Sequence, residues 1–158
     1  MDKSKSVSSS QVVMTQLVLP SHTNALDTIF GGTVMSWIDI AAAVCAQRHC
    51  NKDVVTASID QLSFIAPIKK GWIVNLKASV NFVSKTSMEV GVRVEAENPK
   101  TSELFHTASA YLTFVALGSD GKPALVPALT LETDLEKRRF LAAEKRRAQR
   151  LASRKEEA

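Results

Sequence analysis

The run from Thr33 to Cys50 limits what this chain can fold into more than any other part of it. Val34, Met35, Trp37, Ile38, Ile40 and residues 41–46 are apolar on almost every side of a helix, and only Thr33, Ser36 and Asp39 interrupt them before Gln47 and Arg48. A helix that is apolar all round is a buried helix. The rest of the chain must enclose it. With 158 residues there is material for one domain and too little for two ordinary ones.

Beyond the helix the chain reads as β. Residues 54–64 form a β-branched run, and residues 73–83 alternate, with Val74, Leu76, Ala78, Val80 and Phe82 on one side and Asn75, Lys77, Ser79 and Asn81 on the other. Residues 87–97 alternate more sharply, Met88, Val90, Val92, Val94 and Ala96 against Glu89, Gly91, Arg93, Glu95 and Glu97. Residues 104–117 make a last long strand. Before the helix, residues 11–19 read as a strand ended by Pro20, and the stretch SHTNALDT has loop chemistry. Strand, long helix, then four antiparallel strands predict an α+β hot-dog fold, a curved antiparallel sheet whose apolar face wraps the helix. One copy cannot enclose the helix and finish the sheet edge alone, so a dimer is expected.

The domain is expected over residues 11–130, after a polar, disordered lead-in at 1–10. Residues 118–130 read as loop. A charged C-terminal helix occupies 131–158, with Leu131, Leu135 and Leu141 or Ala142 as its docking stripe. That last segment holds most of the basicity: 9 of the 20 Lys and Arg against 6 of the 16 acidic residues. Such a tail suits a phosphate, nucleic acid or a membrane surface, or is a solvated helix with i,i+4 pairs. It lacks a helix-turn-helix pair, so no nucleic-acid partner is expected.

No stretch reaches the roughly 18–20 apolar residues of a membrane span, and residues 1–10 have no signal-like apolar region. Cys45 and Cys50 are too few for a disulfide framework and match no metal spacing. A cytoplasmic setting is expected.

Asp39 is the most informative residue. A carboxylate in an apolar helix costs several kcal/mol, of order 3 or more, unless it is paired or hydrogen-bonded. It sits too far inside the helix to be a cap. It is either a functional group or a buried Asp satisfied by a neighbouring strand; Ser36, one turn earlier, is a candidate partner. Gly31 and Gly32 open the helix. Either they let a ligand reach the unpaired N–H groups there, which hold an anion or a developing oxyanion, or they form a tight turn needing positive φ. Asn24, in the preceding loop, either orients a ligand or makes an Asx turn. His22, His49 and His106 show no metal spacing, and His106 reads as a satisfied core histidine.

The run HTNALDTIFGGTVMSWIDIAAA (22–43) resembles the catalytic segment of the acyl-CoA thioesterase (acyl-CoA hydrolase) family, and VVTASIDQLSFIAPIKKG (54–71) and KTSMEV (85–90) resemble its next two signatures. The resemblance covers about residues 11–140, and extends to bacterial single-domain enzymes and the second repeat of animal cytosolic double-hot-dog enzymes. It implies acyl-CoA substrates, a homodimeric active site, often a trimer of dimers, and no cofactor or metal, coenzyme A being part of the substrate. The family's catalytic aspartate falls on Asp39, and its carbonyl-polarising glycine pair on Gly31 and Gly32. Asn24 matches the first Asn of the loop signature. Thr28 stands where many bacterial relatives carry Asp or Asn, with Asp27 displaced by one position. Lys85, Thr86 and Ser87 match the segment that approaches coenzyme A.

These residues imply thioester hydrolysis with Asp39 as general base or nucleophile, a backbone-amide oxyanion hole, and an acyl chain along the helix beside Met35 and Trp37. The competing readings are a non-catalytic acyl-CoA-binding sensor or scaffold, which gives no reason for a carboxylate in the helix, and a hot-dog dehydratase, which wants a histidine at the helix mouth.

Overall fold

The computed structural model describes residues 3–157. The elements run β1 (Ser4–Ser6), β2 (Val12–Leu17), a 3-10 turn (Pro20–His22), α1 (Gly31–Cys50), β3 (Asp53–Phe64), β4 (Ile73–Val83), β5 (Ser87–Glu97), β6 (Leu104–Leu117), β7 (Ala128–Thr130) and α2 (Asp134–Glu157). Five strands form an antiparallel sheet in the order β2-β4-β5-β6-β3. This is the hot-dog arrangement: α1 lies on one face of the sheet and α2 on the other.

The alternation seen in the sequence builds the inner face. Val74, Leu76, Ala78, Val80, Met88, Val90, Val92, Val94, Ala96, Ala108, Ala110, Leu112 and Phe114 are buried against Val34, Trp37, Ile38, Ala41, Ala42, Cys45 and Ala46 of α1. Burial also pushes the Cys45 thiol up to about 11, which keeps it protonated and inert.

Two bulges change faces that strict alternation assigns otherwise. Register slips between Val80 and Phe82, opposite Val90 and Glu89. Phe82 therefore leaves the inner face and packs on the outer one against Phe140 of α2, ring centroids 4.8 Å apart. Asn81 is buried and donates to Glu89 Oε2 at 3.0 Å. Gly91 is what lets it lie there, since a Cβ at that position would sit 2.7 Å from Asn81 Nδ2. A second slip, between Val94 and Glu95, takes up Thr107. His106 thus stands half-buried outside the core, bonded to Ser109 Oγ at 2.6 Å.

The lead-in is ordered from Ser4 onward, contrary to expectation. β1 pairs in parallel with β7, which forms within the stretch read as loop. Val7 and Ser10 are buried. Lys5 Nζ reaches the C-terminal end of α1, donating to Arg48 O and Asn51 Oδ1, where a cation complements the helix dipole. His49 is buried beside this small sheet and donates from Nε2 to Pro127 O at 2.8 Å.

The docking stripe of α2 also differs. Leu135 and Leu141 are exposed, and contact runs through Phe140, Ala143, Arg146 and Arg150. Arg146 Nε and Nη2 donate to the two oxygens of buried Glu89, both at 2.9 Å, and its guanidinium lies 3.6 Å from the Tyr111 ring centroid. Charge from the outer sheet face, invisible as an apolar pattern, chose this register. No helix among the described residues is long and apolar enough to cross a membrane.

Candidate active site

Asp39 lies in the third turn of α1, half-buried, and its Oδ1 accepts from Thr56 Oγ1 of β3 at 2.8 Å. Ser36 does not reach it; its hydroxyl donates to Thr33 O at 2.8 Å, within the helix. The carboxylate is not sealed in an apolar interior. Gly32, Met35, Ser36 and Ile40 are exposed, and with Asp39 they form an uncovered stripe at helical spacing. The physical reason is β3. It is an edge strand, so one protomer has nothing beyond it to cover that flank of α1. Trp37 faces the other way, into the core, its ring centroid 5.0 Å from that of His22 in an edge-to-face contact. Of the two side chains expected to line an acyl chain, only Met35 faces the open stripe.

Gly31 and Gly32 form the first turn of α1 after the cap residue Phe30. Neither has positive φ, which removes the tight-turn explanation. A Cβ at Gly31 would meet only the Phe64 ring, at an ordinary 3.8 Å. At Gly32 it would meet the end of the Phe30 ring, a side chain free to swing. Neither glycine N–H has a backbone partner among the described residues. The pair therefore leaves open the approach to two unsatisfied donors at the positive end of a 20-residue helix. A cleft of about 290 Å³ opens beside them, lined by Thr28, Ile29, Gly31, Phe64 and residues 65–68.

The loop before the helix is organised by Asn24. Its Oδ1 accepts from Leu26 N–H at 2.9 Å and from Thr28 Oγ1 at 3.2 Å. Thr28 O in turn accepts from Asn24 N–H at 2.9 Å. This is the Asx-turn alternative, and it leaves the exposed amide NH2 of Asn24 without a partner among the described residues. Asp27, at φ 57°, pairs loosely with Lys70 at 3.6 Å.

Lys85, Thr86 and Ser87 belong to the β4–β5 turn, closed by Ser84 and Ser87 hydroxyls 2.6 Å apart. Ser87 stands level with Val115, and Val115 with Val55 at the start of β3. The glycine cleft lies at the other end, by Phe64. One protomer therefore does not bring the turn and the glycines together. Nor does it bring Gly31 and Asp39 onto one carbonyl: eight residues of helix separate them by about 12 Å, beyond the reach of a single carbonyl and one water.

Thr56 is the residue sequence reading missed. Its signal was present, a hydroxyl on the inward side of β3 opposite the buried Phe114. A β-branched residue in a strand draws no attention until its partner is seen.

The family profile described as "Thioesterase superfamily" matches residues 26–103. The uncharacterized acyl-CoA thioester hydrolase YkhA of Bacillus subtilis is 46% identical over 127 residues, 80% of this chain and 74% of that one. Among solved structures, an acyl-CoA hydrolase from Staphylococcus aureus in complex with butyryl coenzyme A and coenzyme A superposes with TM-score 0.91 at 40% identity, covering 98% of this chain and 94% of that one. Forms of that hydrolase with an asparagine, an aspartate or a threonine changed to alanine match as well, the asparagine variant in complex with coenzyme A. An apo-hexameric acyl-CoA thioesterase superposes with TM-score 0.92 at 42% identity, covering 96% and 97%.

Proposed function

The chain belongs to the thioesterase superfamily and hydrolyses acyl-CoA thioesters, and we propose that Asp39 activates the attacking water at a site that two copies complete. The observation that carries this reading is the Asp39–Thr56 pair on the open stripe of α1. The Thr56 hydroxyl occupies Oδ1. Oδ2 has no hydrogen-bond partner among the described residues and is the oxygen that can take a proton from water. That water attacks the thioester carbonyl carbon. The oxyanion formed is held by the Gly31 and Gly32 N–H groups. Collapse breaks the C–S bond, and the proton held on Asp39 passes to the departing sulfur. The products are a carboxylic acid and coenzyme A.

The separation of Asp39 from the glycines of its own chain favours a shared site. β3 has an open edge, and Val55, Ile59 and Phe64 on it are exposed. Pairing two β3 strands antiparallel would cover these side chains and the α1 stripe together. It would also set one copy's Thr56 end beside the other's Phe64 end. The carboxylate of one copy would then meet the glycine N–H groups, Asn24 and Thr28 of the other. The turn at Lys85, Thr86 and Ser87 would arrive at the same end of the joined sheet, where a cation suits coenzyme A phosphates. A trimer of such dimers would accord with the hexameric neighbour.

The three residues changed in the staphylococcal variants are spaced along their chain as Asn24, Asp39 and Thr56 are along this one. That agreement supports giving all three a part in the reaction.

The test is free-thiol release from acyl-CoAs of increasing chain length, comparing the native protein with Asp39→Asn and Asp39→Ala. Both variants are expected to stay folded and lose roughly a hundredfold or more, the usual loss for a removed acid/base group. Undiminished turnover by Asp39→Asn would remove the proposed base. Binding of acyl-CoA without any thiol release by the native protein would make the chain a sensor.

A further inference from the structure

The loop before α1 pairs with residues 68–70 and so places a cation on the lip of the glycine cleft. Ile29 N–H donates to Ile68 O at 2.7 Å, Lys70 N–H donates to Asp27 O at 3.0 Å, and Thr28 stands opposite Lys69 between them. Bonds flanking the pair in this way make it a non-hydrogen-bonded antiparallel pair, with Cβ atoms about 4.5–5.5 Å apart on one face. Thr28 is one of the residues lining the cleft, and its hydroxyl bonds Asn24 Oδ1. Lys69 therefore leaves the ribbon beside the groups that lead to the Gly31 and Gly32 donors. Its neighbour Ile68 turns the other way and is buried.

Lys69 is exposed, and its ammonium lies 5.8 Å from the Trp72 ring centroid. Trp72 is itself stacked on Phe105, with centroids 5.5 Å apart. No carboxylate comes within ion-pair distance of Lys69 among the described residues, whereas Lys70, on the opposite face of the ribbon, is paired with Asp27 at 3.6 Å. An ammonium held near an aromatic ring and left without a counter-ion is ready for an anionic ligand.

We propose that Lys69 receives the coenzyme A diphosphate, with the pantetheine arm laid along the cleft between it and the glycines. This placing of the arm rests on the site reading above, in which the thioester carbonyl lies at the Gly31 and Gly32 N–H groups. In a simple acyl-CoA the phosphates carry all the negative charge, so they are what an unpaired cation can select. The lengths agree. From the thioester sulfur to the first phosphorus is roughly thirteen bonds, about 15 Å fully extended. Gly31 follows Thr28 by three residues, at most about 10 Å of chain, and a lysine side chain reaches about 6 Å further. The ammonium is thus at most about 16 Å from Gly31, a span the arm matches. The cleft, about 290 Å³, is smaller than the roughly 300–1,000 Å³ of sites that enclose a whole ligand, so it suits one part of the substrate. Ile29, Phe64, Ile65 and Ile68 offer apolar walls to the methylene and methyl groups of the arm. Lys85 of the same copy lies at the other end of the sheet. Lys69 therefore supplies the contact from the chain that carries the glycines.

The experiment measures kcat and KM for one acyl group carried on coenzyme A and on pantetheine, which lacks the nucleotide and its phosphates. The native protein is compared with Lys69→Met, which keeps the apolar stem, with Lys69→Glu and Lys69→Arg, and with Lys145→Ala. The last removes an equal charge from an exposed position of α2, on the far face of the sheet. On acyl-CoA, Lys69→Met is expected to raise KM roughly three- to fivefold, the upper range for an exposed charge pair. Lys69→Glu should raise it further, with kcat held in both and Lys69→Arg and Lys145→Ala near native. On acyl-pantetheine, the KM values of the native protein and Lys69→Met should coincide. An equal rise on both substrates overturns the proposal, because the substitution would then act through the loop or Trp72 and not through phosphate. An unchanged KM for acyl-CoA in Lys69→Glu overturns it too, as does a loss confined to Lys85→Ala. If the native protein turns over neither thioester, the reading of the site fails, and titration with coenzyme A alone decides on Lys69. Weaker binding by Lys69→Glu then upholds the phosphate contact, and equal binding removes it.

Discussion

The Thr56 hydroxyl fixes which oxygen of Asp39 is free. It donates to Oδ1 at 2.8 Å, so the carboxylate is held by one bond from a neighbouring strand and Oδ2 is left without a partner among the described residues. A hydrogen bond to a charged group is worth about 1.5–3 kcal/mol. Thr56→Val keeps the shape and removes the donor. It is expected to lower kcat roughly ten- to hundredfold with little change in KM, and Thr56→Ser to restore most of it. Equal losses in both variants would show that the methyl group matters and the hydroxyl does not. Asp39 stood out in the sequence because a lone carboxylate in an apolar helix needs an explanation. Thr56 did not, because threonine is an ordinary strand residue. Its significance is set by what lies across from it in space.

At the scale of elements, α2 depends on one buried ion pair. Glu89 is 4% exposed and receives both Arg146 donors as well as Asn81. The carboxylate holds the guanidinium even further above its ordinary pKa. Removing one partner leaves a charge without compensation, which costs about 3–5 kcal/mol. Arg146→Ala is expected to lower the urea midpoint accordingly and to loosen α2, read as faster amide exchange there. Arg146→Met with Glu89→Leu is expected to recover most of that stability, since two apolar groups need no pairing. A single variant with no loss would mean that Glu89 finds other solvation.

His49 ties α1 to β7 through Pro127 O. Burial holds its imidazole below the usual 6.5, helped by the nearby Lys5 cation and opposed by the Pro127 carbonyl. The unfolded chain therefore takes up a proton that the folded one resists. Stability is full above about pH 6.5 and falls as pH drops through that value toward the lowered one. Denaturant midpoints between pH 7.5 and 5 should show this slope, and His49→Gln should flatten it. An equal slope in the variant would assign the effect to other groups.

For the whole molecule, the open α1 stripe and the unpaired β3 edge lie on one flank, and the proposed catalytic groups lie along it. If the site joins Asp39 of one copy to the loop of the other, two inactive variants should complement each other. Asp39→Ala and Asn24→Ala, each nearly silent alone, are expected to regain thiol release when unfolded and refolded together. Mixed dimers then contain one site with both groups intact. No recovery, with mixed dimers verified by mass, would place the site within a single copy.

Composition and periodicity determined the long elements of this protein, α1 and β3 to β6. A helix that is apolar on most sides cannot stand in water, and strands alternating with period two present it a matching face, so α1 and β3 to β6 were legible almost to the residue. The carboxylate inside that helix and the glycines at its mouth were legible for the same reason, each breaking a local rule. Tertiary structure decided the rest. The bulge at Asn81 turned Phe82 outward and gave α2 its seat. A lysine on a helix end ordered a strand read as disorder. The edge position of β3 left Asp39 at a flank of the molecule rather than in a sealed core. These outcomes depend on groups far apart in the chain meeting across space, and periodicity carries no record of that.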